Sequence, residues 1–201
     1  RVIKLKNYQP ECTIKFITFA AEEYGLWGSK HFADNAYNTG MDIKLMINHD
    51  MISHKYSGTP FLVDINDYSG SDAFAGLAIL SVANYSGLTP TNGTYNSSGS
   101  DSYSFWQKGY HAVYFEEHDF SPFYHSPQDI ISNNNMYFCS EVIKSSGALL
   151  ITTNKMPSSV NNFKLHDTGN GNFILAKWNR NSEVDLSHYK IYYGQQSYTH
   201  W

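Results

Sequence analysis

The chain has 201 residues, a formal charge of −4 and a hydrophobic fraction of 41%. That length suits one domain of moderate size, or one domain plus part of another. The mild acidity gives a nucleic-acid or anionic-membrane role no electrostatic support, and no apolar run approaches the roughly 20 residues needed to span a bilayer.

In chain order, residues 13–21, "TIKFITFAA", are β-branched and aromatic, which predicts a central parallel strand buried on both faces. Leu26, Phe32, Ala33, Ala36 and Tyr37 then recur at helical spacing, predicting a helix that ends near Gly40. "IKLMINHDMI" (43–52) and "PFLVDI" (60–65) read as a second and a third strand. "SDAFAGLAILSVANYSG" (71–87) opens with a Ser-Asp cap and reads as a helix, and the turn-rich stretch 89–100 as a loop. "DSYSFWQKGY" suggests a short helix, "HAVYFEE" a fourth strand, and "NNMYFCSEVIKSSGALLITT" a long helix. Strands alternate with helices, so the expected class is α/β, a mostly parallel central sheet flanked by helices.

The texture changes after Lys155. A Gly-Asn-Gly turn, a lone Trp178 and the run Tyr-Lys-Ile-Tyr-Tyr predict the start of a β-sandwich similar to a fibronectin type III domain. The expected division is residues 1–154 and 155–201, the second being a partial domain. The chain starts at Arg1 and stops at Trp201, and is expected to be a piece of a longer protein. Cys12 and Cys139 give no disulfide framework: pairing and two free thiols both stand open. Asn84, Asn92 and Asn96 match the glycosylation acceptor pattern, in a loop rich enough in Asn and Ser to produce such matches by composition. The 16 Tyr and the frequent Asn point to a secreted, extracellular or periplasmic protein.

In open parallel sheets, ligands bind at the carboxyl ends of the strands. Glu22 and Glu23 follow the first predicted strand, Asp50 ends the second, and His125 and Asp129 lie in the loop after the fourth. Like charges gathered at one rim repel unless a cation sits between them, and carboxylates with an imidazole suit zinc. Glu23, Asp50 and His125 are therefore candidate ligands, leaving Glu22 near the metal as a general base. Each feature also has an ordinary structural explanation: acidic residues favour a helix's first turn, and lone Asp and His residues commonly cap or hydrogen-bond. His31, His49, His54, His111 and His118 are assigned to structure or surface.

"AAEEYGLWGSKHFA", "INHDMIS" and "SGSDSYSFWQKGYHAVYFEEHDFSPFYHSPQDII" resemble the zinc aminopeptidases of the bacterial leucyl aminopeptidase type, relatives of aminopeptidase S, glutamate carboxypeptidase and the glutaminyl cyclases. The resemblance runs from about Thr13 to Thr153. It implies a secreted zinc exopeptidase that cleaves after the N-terminal residue of a peptide or protein, with two zinc ions in the whole enzyme. Glu22 would be the general base, Glu23 and His125 ligands of one zinc, Asp50 a ligand of the other, and Asp129 a residue behind His125 that orients it. Phe115 and Phe120 would line the substrate pocket.

The sequence departs from the family pattern in two places. Residues 1–12 contain neither the upstream His nor the bridging Asp, so the isolated 201 residues are expected to be inactive. Ser102 stands where the family often has His. Two alternatives follow: a glutaminyl cyclase-like, single-zinc aminoacyltransferase, and a non-catalytic peptidase-like binding module. The tail would dock the protein to a polymer or a cell surface.

Overall fold

The computed structural model describes residues 6–157, 160–169, 171, 173–182 and 186–191. These fall into two compact units, the first running to Asn154 and the second beginning at Lys155.

The first unit alternates helices and strands. Helix α1 spans Trp27–Asn38 and strand β1 Met46–His49; β2 spans Leu62–Asn66 and α2 Asp72–Tyr85. They are followed by β3 (Thr89–Asn92), α3 (Ser102–Trp106), β4 (Ala112–Glu117) and α4 (Met136–Asn154). The sheet order is β1-β4-β2-β3. β1 pairs with β4 and β2 with β3 in parallel, and only β2 against β4 is antiparallel. This is the expected mostly parallel α/β sheet.

Alternation along the strands sorts side chains onto two faces. Val63 and Ile65 of β2 and Val113 and Phe115 of β4 join Ala78 and Val82 of α2 and Phe138, Val142 and Leu149 of α4 in one core. On the opposite face Ala112 and Tyr114 meet Tyr68, with Tyr103 and Trp106 from around α3 packed against them. Helix α1 joins that side through Ser29 Oγ to Ser104 Oγ, 2.9 Å, and Phe32 against Phe105, 5.7 Å between centroids.

Two predicted elements differ. Residues 13–21 form no strand: they lie outside every ladder, with Phe16 82% exposed. β-branched composition expresses a preference for a pleated, half-buried surface, but a strand also needs a neighbouring edge, and among the described residues this segment pairs with none. It is held instead at its end, where Phe19 packs on Phe32 and Phe105. Conversely, the stretch read as a loop contains β3, an outer strand beside β2. Pro90 lacks an N–H and so hides the strand from sequence, yet an edge position tolerates it.

The cysteines are free. The Cys12 thiol lies 3.8 Å from the Asn154 carbonyl at the end of α4, whereas Cys139 is in that helix's first turns. Fifteen helical residues at about 1.5 Å each hold them roughly 20 Å apart, too far for a bond.

The second unit contains β5 (Asn161–Asp167) and β6 (Ile174–Asn179), an antiparallel pair with a register shift between Asn161 and Lys164. Trp178 contacts Phe163 at 6.3 Å and Tyr189 at 5.2 Å. In the run Tyr-Lys-Ile-Tyr-Tyr, Tyr189, Lys190 and Ile191 form no ladder among the described residues, and Tyr192 and Tyr193 lie outside them.

Candidate active site

The Glu22-Glu23 pair lies before α1, not in its first turn, which contains no acidic residue. A tight reversal places it there. Gly25 and Leu26 donate their N–H groups to the Glu22 carbonyl at 2.9 and 2.8 Å, and Gly25 sits at φ +99°, where a side chain would be strained. Gly28 then donates to the Ala20 carbonyl at 3.0 Å, and a Cβ on Gly28 would fall 2.6 Å from that oxygen. Both glycines of the Gly-Leu-Trp-Gly run are thus required by backbone path, and the helix start is pinned against the segment that carries the carboxylates.

Parallel neighbours end at the same rim. β1 delivers Asp50 one residue past its end, and β4 leads into the loop that carries His125. Glu22, Glu23 and Asp50 line one cavity of about 190 Å³, together with Glu116, Phe120 and Tyr124. His125 Nε2 lies 2.7 Å from Glu23 Oε1, and its ring stacks on Tyr124 with centroids 3.7 Å apart. Three non-glycine residues here adopt left-handed backbone: Ala21 at φ 57°, Met51 at 50° and His125 at 53°. Such strain persists where the surroundings over-determine it, and it commonly accompanies functional geometry.

Asp50 is anchored from below. Ser100 Oγ donates to Asp50 Oδ2 at 2.7 Å, and Asn48 Nδ2 donates to Ser100 Oγ at 2.6 Å. Asn48 also reaches Ser102 Oγ at 3.4 Å, which in turn meets the Tyr68 hydroxyl at 2.8 Å. Ser102 is fully buried and supports the floor of the site from within the fold.

The electrostatics are uncompensated. Burial, then Asp50, Glu23 and Asp101, push the Glu22 carboxyl above its ordinary range, against a weaker opposing pull from His125. Asp101 is raised as well, by burial and by Asp50, and its Oδ1 is buried without a hydrogen-bond partner. A cation placed among these carboxylates would relieve the repulsion. The donor types of Glu23, Asp50 and His125 match zinc. Glu23 and His125 already converge, while among the described residues no three His, Cys, Asp or Glu side chains are gathered closely enough to hold an ion together.

Two sequence assignments change. Phe115 is fully buried in the α2/α4 core and stacks on His49 at 5.6 Å, away from the cavity. The strand period explains this: Phe115 points opposite to Tyr114 and Glu116, and these two line the cavity. Counting by twos along "AVYFEE" would have found them. Asp129 is not brought onto His125. Its N–H donates to the Ser126 carbonyl at 3.1 Å, and its exposed carboxylate makes no hydrogen bond among the described residues.

This α/β fold gathers carboxylates and a histidine at the ends of its strands. Residues 1–144 match the model of Peptidase family M28, and the chain belongs to that family. It is 42% identical over 48 residues to a probable zinc metalloprotease of Phaeosphaeria nodorum, a match covering 24% of this chain and 10% of that protein. Its fold is similar to that of the Legionella pneumophila LapA aminopeptidase, with a TM-score of 0.64 and 19% identity over 71% of this chain and 39% of that one. An aminopeptidase from Aneurinibacillus sp. strain AM-1 is 26% identical at a TM-score of 0.53, over 69% and 32% of the two chains. The chain thus spans about two fifths or less of the length of these relatives.

Proposed function

We propose that the first unit carries the metal-binding rim of a zinc-dependent exopeptidase, which in the whole protein hydrolyses the peptide bond after a free N-terminal residue. The convergence of Glu22, Glu23 and Asp50 on one cavity, with His125 hydrogen-bonded to Glu23, carries this assignment. Membership of a peptidase family and similarity to aminopeptidases support it.

Glu23 and His125 would hold one zinc and Asp50 would contribute to a second. When bound, zinc supplies Lewis acidity that polarises the scissile carbonyl and makes water a competent nucleophile near neutral pH. Glu22 accepts the proton of the attacking water and returns it to the leaving amine. The Ser100–Asn48–Ser102–Tyr68 chain holds Asp50 in place.

The candidate ligands among the described residues are one imidazole and two carboxylates, the number of protein ligands one zinc takes, although only Glu23 and His125 meet directly. That favours, as a second assignment, a one-zinc aminoacyltransferase resembling the glutaminyl cyclases. The second unit would begin a fibronectin type III-like module that docks a secreted enzyme to a polymer or a cell surface. Trp178 between Phe163 and Tyr189 supports that assignment, and the Tyr- and Asn-rich composition supports secretion. No helix among the described residues is long and apolar enough to cross a membrane.

The test uses the full-length protein. Glu22→Gln is expected to lower aminoacyl-anilide hydrolysis by about 10²–10⁴-fold while bound zinc stays unchanged. One zinc per chain, with cyclisation of N-terminal glutamine and no hydrolysis, would select the transferase. A protein that binds no zinc and turns over neither substrate would be a binding module.

A further inference from the structure

The cavity that contains the candidate ligands measures about 190 Å³. Its acidic lining exceeds what the proposed chemistry uses. Glu22, Glu23 and Asp50 have roles there; Glu116 has none.

Glu116 is held rigidly. Its Oε2 accepts from Asn66 Nδ2 at 2.9 Å, and Asn66 is fully buried. The other end of that amide is fixed too, because Asn66 Oδ1 accepts from the Thr94 N–H. Gly93 closes over it, so tightly that a Cβ there would stand 2.5 Å from Asn66 Oδ1. Asn66 therefore cannot swing away, and the Glu116 carboxylate keeps one orientation. The neighbouring phenol of Tyr114 stays neutral, since burial first and then the Glu116 and Asp50 carboxylates push its pKa up. The ion pairs among the described residues engage Asp34, Asp64, Glu23 and Glu141, and none engages Glu116. A half-buried carboxylate, hydrogen-bonded to Asn66 and to the Tyr114 phenol, is thus presented to the cavity with no ion-pair partner among the described residues.

The remaining wall is apolar and aromatic. Met51, Phe120 and Tyr124 line it, with Phe120 and Tyr124 in edge contact at 4.9 Å. A methylene stem packs against such a wall, and a cation gains further from the ring faces.

We propose that Glu116 is a specificity-determining residue that selects substrates with Lys or Arg at the N-terminus, the stem lying along Met51, Phe120 and Tyr124 and the terminal cation on the Glu116 carboxylate. The proposal rests on the exopeptidase assignment of the cavity. It requires an acidic N-terminal residue to be rejected by the four carboxylates of the lining.

The experiment measures calorimetric binding of L-lysinamide and L-norleucinamide, which share the stem and differ in the cation, to the zinc-loaded full-length protein. The expected result is at least about tenfold tighter binding of lysinamide, the scale of one hydrogen bond to a charged group, with the advantage falling below about threefold in Glu116→Gln. Glu116→Asp, which keeps the charge, is expected to retain part of the preference, and circular dichroism verifies that each variant is folded. Norleucinamide binding as well as lysinamide in the wild type overturns the proposal. So does an equal loss for both amides in Glu116→Gln, which would place the common α-amino group, not the side chain, on Glu116. Selective lysinamide binding without cleavage of any lysyl or leucyl anilide would refute the exopeptidase assignment and leave the selectivity of Glu116 standing.

Discussion

Strand β4 has two faces that do different work. Val113 and Phe115 point into an apolar core shared with β2, α2 and α4. One residue along, Tyr114 and Glu116 point the other way, and their cross-strand partners are Asn48, Asn66 and Asp64. That face is built from hydrogen-bonded polar side chains and ends in the acidic cavity. Apolar burial on one face offsets the cost of gathering buried polar and charged groups on the other. The difference teaches that stability and chemistry are separable here at single-residue resolution, by parity along one strand.

The comparison breaks most visibly at Phe115. Phe115→Ala empties a fully buried site and is expected to cost about 3–5 kcal/mol in denaturant unfolding. If Phe115 lined the substrate pocket, the same change would alter substrate affinity and leave stability nearly intact. On the polar face, Ser100→Ala removes the donor to Asp50 and the acceptor of Asn48. It is expected to cost only about 1 kcal/mol of stability but to weaken zinc binding by about 10–100-fold, measured by competition with a chelator.

A smaller effect sharpens the contrast at the end of β4. Glu117 is 5% exposed on the core side, and its Oε2 accepts from the Ser53 and His54 N–H groups at 3.0 and 2.6 Å. Burial still raises its carboxyl above the ordinary range, the two backbone donors pulling the other way. The folded state therefore holds its proton more tightly than the unfolded state. The contribution of Glu117 to stability is fully present below its unfolded pKa of about 4.3 and is lost as pH rises through the raised folded value. Glu117→Gln keeps an oxygen for both donors and removes the charge. Its stability relative to wild type is expected to grow as pH rises above about 4, in paired unfolding curves. A difference that is flat with pH would contradict the burial of an ionised carboxylate.

Much of this was legible in the sequence, and the failures have physical causes. The strand and helix alternation and the rim position of Asp50 follow from local composition, whereas the turn that carries Glu22-Glu23 appears only in the structure. The run 13–21 misled because propensity is local whereas pairing is not. β3 was hidden because Pro90 reads as a loop residue until its edge position is known. Phe115 and Glu116 were confusable because two adjacent strand residues differ only in which way they face, although the period of two was already present in "AVYFEE". The supporting role of Ser102 depends on Asn48 and Tyr68, which are far from it in sequence and meet it only in the fold.

The most direct test of the zinc assignment is anomalous scattering at the zinc edge from crystals of the zinc-loaded full-length protein. The prediction is an ion bound by a Glu23 carboxylate oxygen and a His125 ring nitrogen, each at about 2.0–2.2 Å, lying between two side chains that otherwise hydrogen-bond directly. An intact Glu23–His125 hydrogen bond, with zinc bound elsewhere or not at all, would contradict it.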